Sequence, residues 1–315
     1  MAKGREHQVE VVFFHGRGGT VSRGGGNTRE GILGAPEGTV QGYLRVTEQG
    51  ETINQKYGVR SIALRNLEIA SGAALLHTMN ATPPDGDERA QQVMAKIANH
   101  SRKVFRGLVY ETPSFIDYFR QATPIDVIEQ LAIGSRPSSR RSQKGVENLR
   151  AIPWVFSWGQ TRTGFPGVFG VGSALSEAAD EYGIDQLSQM VEEWTFFRAL
   201  INDVEMVLAK SDLEISRGYS ELAASDCRHT YETIASELSL AEELVLKIKG
   251  NDHLLADQQT LDRSIRLRNP YVDPMNLLQI DLLQRWRDVD RKDDELLQAL
   301  FATVNGIAQG IQNTG

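Results

Sequence analysis

The chain carries a glycine-rich, arginine-bearing segment, His15-Gly16-Arg17-Gly18-Gly19-Thr20-Val21-Ser22-Arg23-Gly24-Gly25-Gly26. It directly follows an apolar run, Val9 to Phe14, that predicts a short buried strand. Glycine allows backbone N–H groups to approach a ligand, and arginine offers a planar pair of donors to a carboxylate or phosphate. The segment therefore predicts an anion site, against the alternative of a solvated loop without a ligand. It is neither a Walker A motif, which needs Gly-Lys-Ser/Thr, nor a G-x-G-x-x-G dinucleotide motif.

Composition indicates an ordinary soluble globular protein of one or two domains, since the 315 residues are 40% hydrophobic and 24% charged. The net charge of −7 argues against nucleic-acid binding, so an anion must be held by locally placed arginines. The single cysteine, Cys227, excludes an internal disulfide and a cysteine metal cluster. No apolar run reaches the ~18 residues of a membrane span, and residues 1–8 lack the apolar core of a signal peptide. We therefore expect a cytoplasmic protein with no membrane partner.

Hydrophobic spacing predicts a few strands in the first half of the chain and helices throughout. Besides Val9 to Phe14, the runs Leu44 to Glu51 and Ile152 to Trp158 predict extended segments, the latter buried. Helices are predicted over residues 58–79 and 87–111. Residues 160–167 are predicted as loop, and everything from Val168 onward as almost wholly helical, with helical spacing in Leu187 to Leu208, Thr230 to Ile248, Met275 to Trp286 and Leu296 to Ile311.

Several sequence motifs of the chain, and the order in which they occur, closely resemble the phosphoenolpyruvate carboxylase family. The resemblance begins with Phe14 to Gly26 and covers nearly the whole chain. It continues through Leu44-Arg45-Val46-Thr47-Glu48-Gln49-Gly50-Glu51, Gly134-Ser135-Arg136-Pro137, Leu149-Arg150-Ala151-Ile152-Pro153-Trp154, Leu267-Arg268-Asn269-Pro270-Tyr271 and Gln312-Asn313-Thr314-Gly315. Because the family enzyme is much longer, the chain looks like its C-terminal third.

The resemblance implies a strongly helix-rich α/β fold, the C-terminal part of a (β/α)8 barrel with large all-helical extensions. Residues 1–167 would form a partial barrel that carries the glycine-rich catalytic loop, and residues 168–315 a helical region with an effector site. Three strands cannot close a barrel of eight, so the rest is expected in a missing N-terminal part of the same enzyme. The complete enzyme is expected to be a homotetramer.

The family reaction joins bicarbonate to phosphoenolpyruvate and gives oxaloacetate and phosphate. By resemblance, Arg17 and Arg150 hold phosphoenolpyruvate, Arg23 orients bicarbonate or carboxyphosphate, Arg136 supports the same anions, and His15 acts as acid/base or orienting donor. Without the resemblance, Arg136 and Arg150 could equally be loop-capping ion pairs. The loop backbone would be supplied by Gly16, Gly18, Gly19, Gly24 and Gly25.

The resemblance also implies an allosteric site for aspartate or malate. Lys210, Arg268 and Asn313 would hold the carboxylates of the effector, with Arg23 drawn away from catalysis. Lys210 is predicted at a helix end and Arg268 at a helix break before Pro270. The alternative is that each cation merely complements a helix dipole.

Two departures from the family pattern concern the loop and the segment after the last predicted strand. The family usually has glycine in place of Ser22 and proline in place of Asn27, and it favours bulkier apolar residues than Thr163 and Gly164 after Arg162. The Mg²⁺ (or Mn²⁺) ligands of the family are expected upstream, so no metal ligand is assigned here. Two functions remain open: part of a carboxylase, inactive without its N-terminal part, or a non-catalytic dicarboxylate-binding module or pseudoenzyme.

Overall fold

The computed structural model describes residues 2–9, 11–16, 27–36, 38–40, 42–47, 50–79, 86–131 and 151–311. Those in the first part form α1 (Ala2–Glu6), β1 (Phe14–Gly16), α2 (Thr28–Leu33), β2 (Arg45–Thr47), α3 (Gly50–Tyr57), α4 (Arg60–Thr78), α5 (Glu88–Glu111), α6 (Phe115–Ala122) and α7 (Ile125–Ile128). Those in the second part form α8 (Ala151–Gln160), α9 (Phe165–Val168), α10 (Val171–Tyr182), α11 (Ile184–Glu193), α12 (Thr195–Lys210), α13 (Leu213–Ser220), α14 (His229–Lys249), α15 (Gln259–Asp288) and α16 (Asp294–Ile311).

The helix-rich character predicted from the sequence is confirmed, as are the helices near residues 58–79 and 87–111 and the helical region after residue 168. The segment Leu187 to Leu208 is divided at Trp194, which has an extended backbone and separates α11 from α12. Of the helices in the described ranges, none combines the length and apolar character that a bilayer crossing requires.

The sheet within the described residues consists of β1 and β2, paired in parallel with His15 opposite Val46. The prediction that Val9 to Phe14 is a buried strand is wrong: the strand begins at Phe14, and Val9 and Phe14 are 59% and 61% exposed. A buried strand needs strands beside it and helices on both faces, and here β1 has one three-residue neighbour. The extended segment predicted over Leu44 to Glu51 is confirmed only in part: Arg45–Thr47 form β2, whereas Gly50 and Glu51 already belong to helix α3. The partial barrel therefore stays a prediction.

The prediction that Ile152 to Trp158 form a buried strand is also wrong, because this segment lies in helix α8. This helix is apolar all round because it lies between two cores, with Trp158 in the larger and Phe156 in the smaller. A short apolar run without alternation fits a buried strand and a buried helix equally well, so periodicity alone could not separate them. Pro153 lies in the first turn, where a helix makes no use of its N–H.

The predicted loop over residues 160–167 is only partly correct. Gln160 still belongs to α8, and Phe165 begins the single turn α9, so Thr161 to Gly164 form the connection. Gly164 has a φ of 56°, a left-handed conformation that favours glycine, and a side chain there would collide with Val207. Phe165 packs on Trp158 at 4.5 Å between ring centroids, which ties the connection to the larger core.

Helix α15 does not break at Pro270, contrary to the prediction, but continues through Pro270 and Pro274. Proline removes one backbone hydrogen bond and disturbs the preceding turn, so a helix that continues past it needs support from its neighbours. Side-chain bonds on either side of Pro270 supply that support. Arg268 Nη1 donates to Gly310 O at 2.6 Å, and Asn276 Nδ2 donates to Gln160 O at 2.7 Å.

Candidate functional site

Two cations from different helices, Lys210 and Arg268, lie close together in the helical region. Lys210 is the last residue of α12, and Arg268 lies in the first third of α15. The guanidinium of Arg268 is held by two carbonyls, Ser264 O at 2.8 Å from Nε and Gly310 O at 2.6 Å from Nη1. Its position is therefore fixed by its own helix and by the end of α16.

Burial and, to a smaller extent, the positive charge of Arg268 together lower the pKa of Lys210 to about 8. Burial also lowers the pKa of Arg268. Among the residues that the structure describes, no carboxylate contributes to either shift or forms an ion pair with either cation. Two half-buried like charges without an acidic partner are unfavourable alone and are stabilised by an anion between them. The pair is a candidate anion site.

Arg162, in the connection after α8, links the elements that carry this pair. Its Nε donates to Lys210 O at 2.9 Å, and its Nη1 forms an ion pair with Asp273 at 2.6 Å. Its Nη2 lies 3.4 Å from Asn269 Oδ1, and its own carbonyl accepts a hydrogen bond from Asp212 N at 2.8 Å. One guanidinium thus joins the end of α12 to α15.

The end of α8 is fixed by a second buried polar network. Asn276 Nδ2 donates to Gln160 O, and Gln279 Nε2 donates to Gln160 Oε1 at 3.1 Å. Gln160 Nε2 in turn donates to Val304 O at 3.0 Å. Tyr219 donates to Gln279 Oε1 at 2.7 Å, so α13 is joined as well. Helices α8, α13, α15 and α16 are therefore held in one relative position.

The helix α2 follows the glycine-rich segment in the sequence and begins with a capped first turn. Asn27 caps this helix, and its side chain accepts a hydrogen bond from Arg29 N at 3.1 Å. Asparagine is a preferred cap, which gives a physical reason for Asn27 where the family usually has proline. Glu30 on α2 accepts a hydrogen bond from Asn202 Nδ2 at 3.0 Å, and Asn202 Oδ1 accepts one from Lys249 Nζ at 2.9 Å. The helix after the segment is therefore tied to α12 and α14.

The structure covers only part of the predicted site. His15 and Gly16 are described as backbone, at the C-terminal end of β1, and Lys210 and Arg268 are brought together as predicted. The remaining predicted residues lie outside the described ranges: Arg17, Gly18, Gly19, Ser22, Arg23, Gly24, Gly25, Arg136, Arg150 and Asn313. Their roles stay predictions.

Sequence reasoning missed Arg162, Asn269 and Asp273. Asn269 and Asp273 are four residues apart and therefore share a helix face, directly after Arg268. That signal was lost because α15 was predicted to break at Pro270. No cluster of three or more His, Cys, Asp or Glu residues that could hold a metal ion occurs in the described ranges.

A glycine-rich segment between a strand and a capped helix, and a cation pair with no acidic partner among the described residues, are both typical of anion sites. The model of the family "Phosphoenolpyruvate carboxylase" matches residues 1–315. The chain belongs to the phosphoenolpyruvate carboxylase family.

Relatives named phosphoenolpyruvate carboxylase support this assignment. The chain is 50% identical to one from Xanthomonas campestris pv. campestris over 309 residues, which are 98% of this chain and 34% of that protein. It is 43% identical over 322 residues to one from Nitrosomonas eutropha, with the same shares of the two chains. It is also 42% identical over 311 residues to "Phosphoenolpyruvate carboxylase 4" from Arabidopsis thaliana, covering 98% of this chain and 30% of the relative. The chain therefore spans about a third of the length of these relatives.

Proposed function

We propose that the chain is the C-terminal part of a phosphoenolpyruvate carboxylase, a lyase that forms oxaloacetate and phosphate from phosphoenolpyruvate and bicarbonate. The match of the family model to all 315 residues carries this proposal. The complete enzyme is proposed to be a cytoplasmic homotetramer. Residues 1–167 would contribute to the barrel with the catalytic loop, and residues 168–315 would form the helical region with the effector site.

Exposed apolar side chains support an incomplete fold. Helix α4 exposes a series of large aliphatic residues that a solvent-facing helix normally lacks, namely Ile62, Leu64, Leu67, Leu75, Leu76 and Met79. Val9, Val12 and Phe14, near β1, are exposed as well. Contiguous apolar surface of this kind marks a contact with further protein. The remaining two thirds of the family's length are a candidate for that contact.

In the proposed catalytic site, Arg17 and Arg150 bind the phosphate and carboxylate of phosphoenolpyruvate. Arg23 and Arg136 hold bicarbonate and then carboxyphosphate, and His15 donates or accepts a proton or a hydrogen bond at the transferring group. The position of His15 at the C-terminal end of a parallel strand agrees with active-site placement in (β/α)8 barrels. Fixed arginines would stabilise the negative charge of the enolate that attacks carbon dioxide.

A divalent cation, Mg²⁺ or Mn²⁺, would neutralise part of the phosphate and enolate charge in the complete enzyme. Because the described residues offer no ligand cluster for it, its ligands are proposed in the part of the enzyme upstream of this chain.

The cation pair is proposed to bind the effector aspartate or malate, with Lys210 and Arg268 on its carboxylates and Asn313 and Arg23 completing the site. Support comes from the two half-buried cations, which have no acidic partner in the described part of the chain. The same observation favours the alternative, a non-catalytic dicarboxylate-binding module, since this pair lies wholly within the chain.

The two functions differ in an activity assay. The chain alone, with Mg²⁺ and both substrates, is expected to form no oxaloacetate in an assay coupled to malate dehydrogenase. Co-expression with the upstream two thirds of the enzyme is expected to restore turnover at about 1 per second or more. Turnover of that size by the chain alone would contradict the proposed incompleteness, whereas no turnover after co-expression would favour the binding module.

Malate binding is expected to weaken as pH rises through about 8, where Lys210 loses its proton. The bound diacid needs the charged amine, so at one pH unit above the pKa the affinity should be about tenfold lower than at pH 7. Calorimetric titration between pH 7 and pH 9 measures this, and malate has no amine of its own to titrate. Lys210→Arg should remove the dependence because arginine stays charged. Equal affinity of the parent at pH 7 and pH 9 would refute the assignment of Lys210.

A further inference from the structure

Arg162 is a buried cation to which the proposed catalytic and effector sites assign no role. Its side chain is 1% exposed, and its only ion-pair partner in the described ranges is Asp273. Its φ of 58° is left-handed, a conformation that a residue other than glycine adopts at a cost. A buried charged side chain and a left-handed backbone each cost free energy, and they persist only where the surrounding contacts compensate for that cost. These contacts therefore indicate a specific positional role.

The side chain of Arg162 contacts Lys210 itself and the residue next to Arg268. The carbonyl that accepts from its Nε belongs to Lys210 itself. Asn269, which faces its Nη2, is the residue directly after Arg268, and Asp273 lies one helical turn further along α15. The same guanidinium therefore contacts the backbone of Lys210 and the stretch of α15 that carries Arg268.

The cation pair needs such a connection because its members repel each other. Without a diacid between them, Lys210 and Arg268 gain free energy by moving apart, and α12 and α15 make few direct contacts with each other. Any separation of the helices would have to be reversed on binding, at a cost in affinity. A fixed spacing avoids this cost.

We propose that Arg162 is the positioning residue of the dicarboxylate site and that, together with Asp273, it holds the helices that carry Lys210 and Arg268 in one relative position. This inference rests on the dicarboxylate site proposed above. It adds that the affinity for the diacid depends on the ion pair between Arg162 and Asp273, neither of which is proposed to contact the diacid.

The test is Asp273→Asn in the 315-residue chain, with L-malate binding measured by calorimetry. The side chain of Asp273 is 37% exposed, so water can replace it without leaving Arg162 fully unsolvated. The malate Kd is expected to rise about tenfold, which corresponds to the loss of one charge-assisted contact that fixes the site. Asp273→Glu keeps the carboxylate and is expected to recover most of the affinity.

Asp126→Asn provides a matched control. Asp126 pairs with Arg287, which likewise donates to backbone carbonyls, those of Gln121 and Thr123, but belongs to a contact between α15 and α7 away from the cation pair. This variant is expected to lower the melting temperature while the malate Kd stays within about twofold of the parent. A purely structural role for Asp273 would give the same pattern as the control.

The outcomes separate this inference from the function on which it rests. If the parent binds no malate, the dicarboxylate site itself is wrong and the positioning role falls with it. If the parent binds malate and Asp273→Asn binds it equally well, or Asp126→Asn weakens it as much, the positioning role alone is wrong. Should Asp273→Asn fail to fold, Asn269→Ala is used, for which a Kd raised about threefold is expected and an unchanged Kd overturns the role.

Discussion

In the complete enzyme, Arg17→Lys and Arg150→Lys are each expected to lower kcat/KM for phosphoenolpyruvate by about 10²–10³-fold, or 2.7–4 kcal/mol of transition-state stabilisation. Lysine keeps the positive charge, but all its N–H donors lie on one nitrogen. The proposed role needs the planar guanidinium of arginine, which donates to two phosphate or carboxylate oxygens at once. The charge that these residues meet grows as phosphate leaves and the enolate forms. The loss should therefore fall on kcat as well as on KM.

The assay requires this chain joined to the upstream part, because the proposed metal ligands lie there. Arg198→Lys is the matched control, since Arg198 donates to two carbonyls, Val191 O and Glu192 O, and has no proposed contact with substrate. It should retain nearly full activity. If Arg17→Lys or Arg150→Lys keeps more than half of the parent kcat/KM, the proposed assignment of that arginine to the substrate is withdrawn.

Arg268→Ala in the chain itself is expected to weaken dicarboxylate binding strongly, as measured by calorimetric titration. Each charge-assisted contact with a carboxylate contributes roughly 1.5–3 kcal/mol, so removing one lowers the affinity by about 10–100-fold. A parent site at the millimolar end of the expected range would then fall beyond the reach of a titration, whereas one at the micromolar end would stay measurable with a Kd raised by that factor.

Arg268→Ala is also expected to cost a little stability without ligand. The substitution removes the hydrogen bonds to Ser264 O and Gly310 O, which contribute about 1 kcal/mol, and at the same time relieves the repulsion with Lys210. The melting temperature of the unliganded variant should therefore shift by only a few degrees.

The sequence predicted the helices well where polar and apolar residues alternate with helical spacing, as in α5 and α14. It failed at α8, because a helix buried between two cores shows no polar face, and Trp154 and Trp158 are favoured in strands as much as in buried helices. It failed again at Pro270, where contacts with α8 and α16 keep α15 continuous. These contacts join residues more than 40 positions apart, and local spacing carries no information about them.

The same distinction applies to the candidate site. Family resemblance paired Lys210 with Arg268, and the structure brings them together. Arg162 and Asp273 could not be assigned in this way, because their partnership spans 111 residues and depends on a left-handed backbone at Arg162. The catalytic arginines still rest on the resemblance, since they lie outside the described residues.

The most direct test of the proposed dicarboxylate site in this chain is a calorimetric titration at pH 7 of the parent and Arg268→Ala with L-aspartate and with L-asparagine. We predict that the parent binds aspartate with a micromolar to millimolar Kd and binds asparagine at least tenfold more weakly, because asparagine lacks the second carboxylate. Arg268→Ala should bind aspartate about 10–100-fold more weakly than the parent. Equal binding of aspartate and asparagine by the parent, or unchanged aspartate binding by a folded Arg268→Ala variant, would contradict the proposed site.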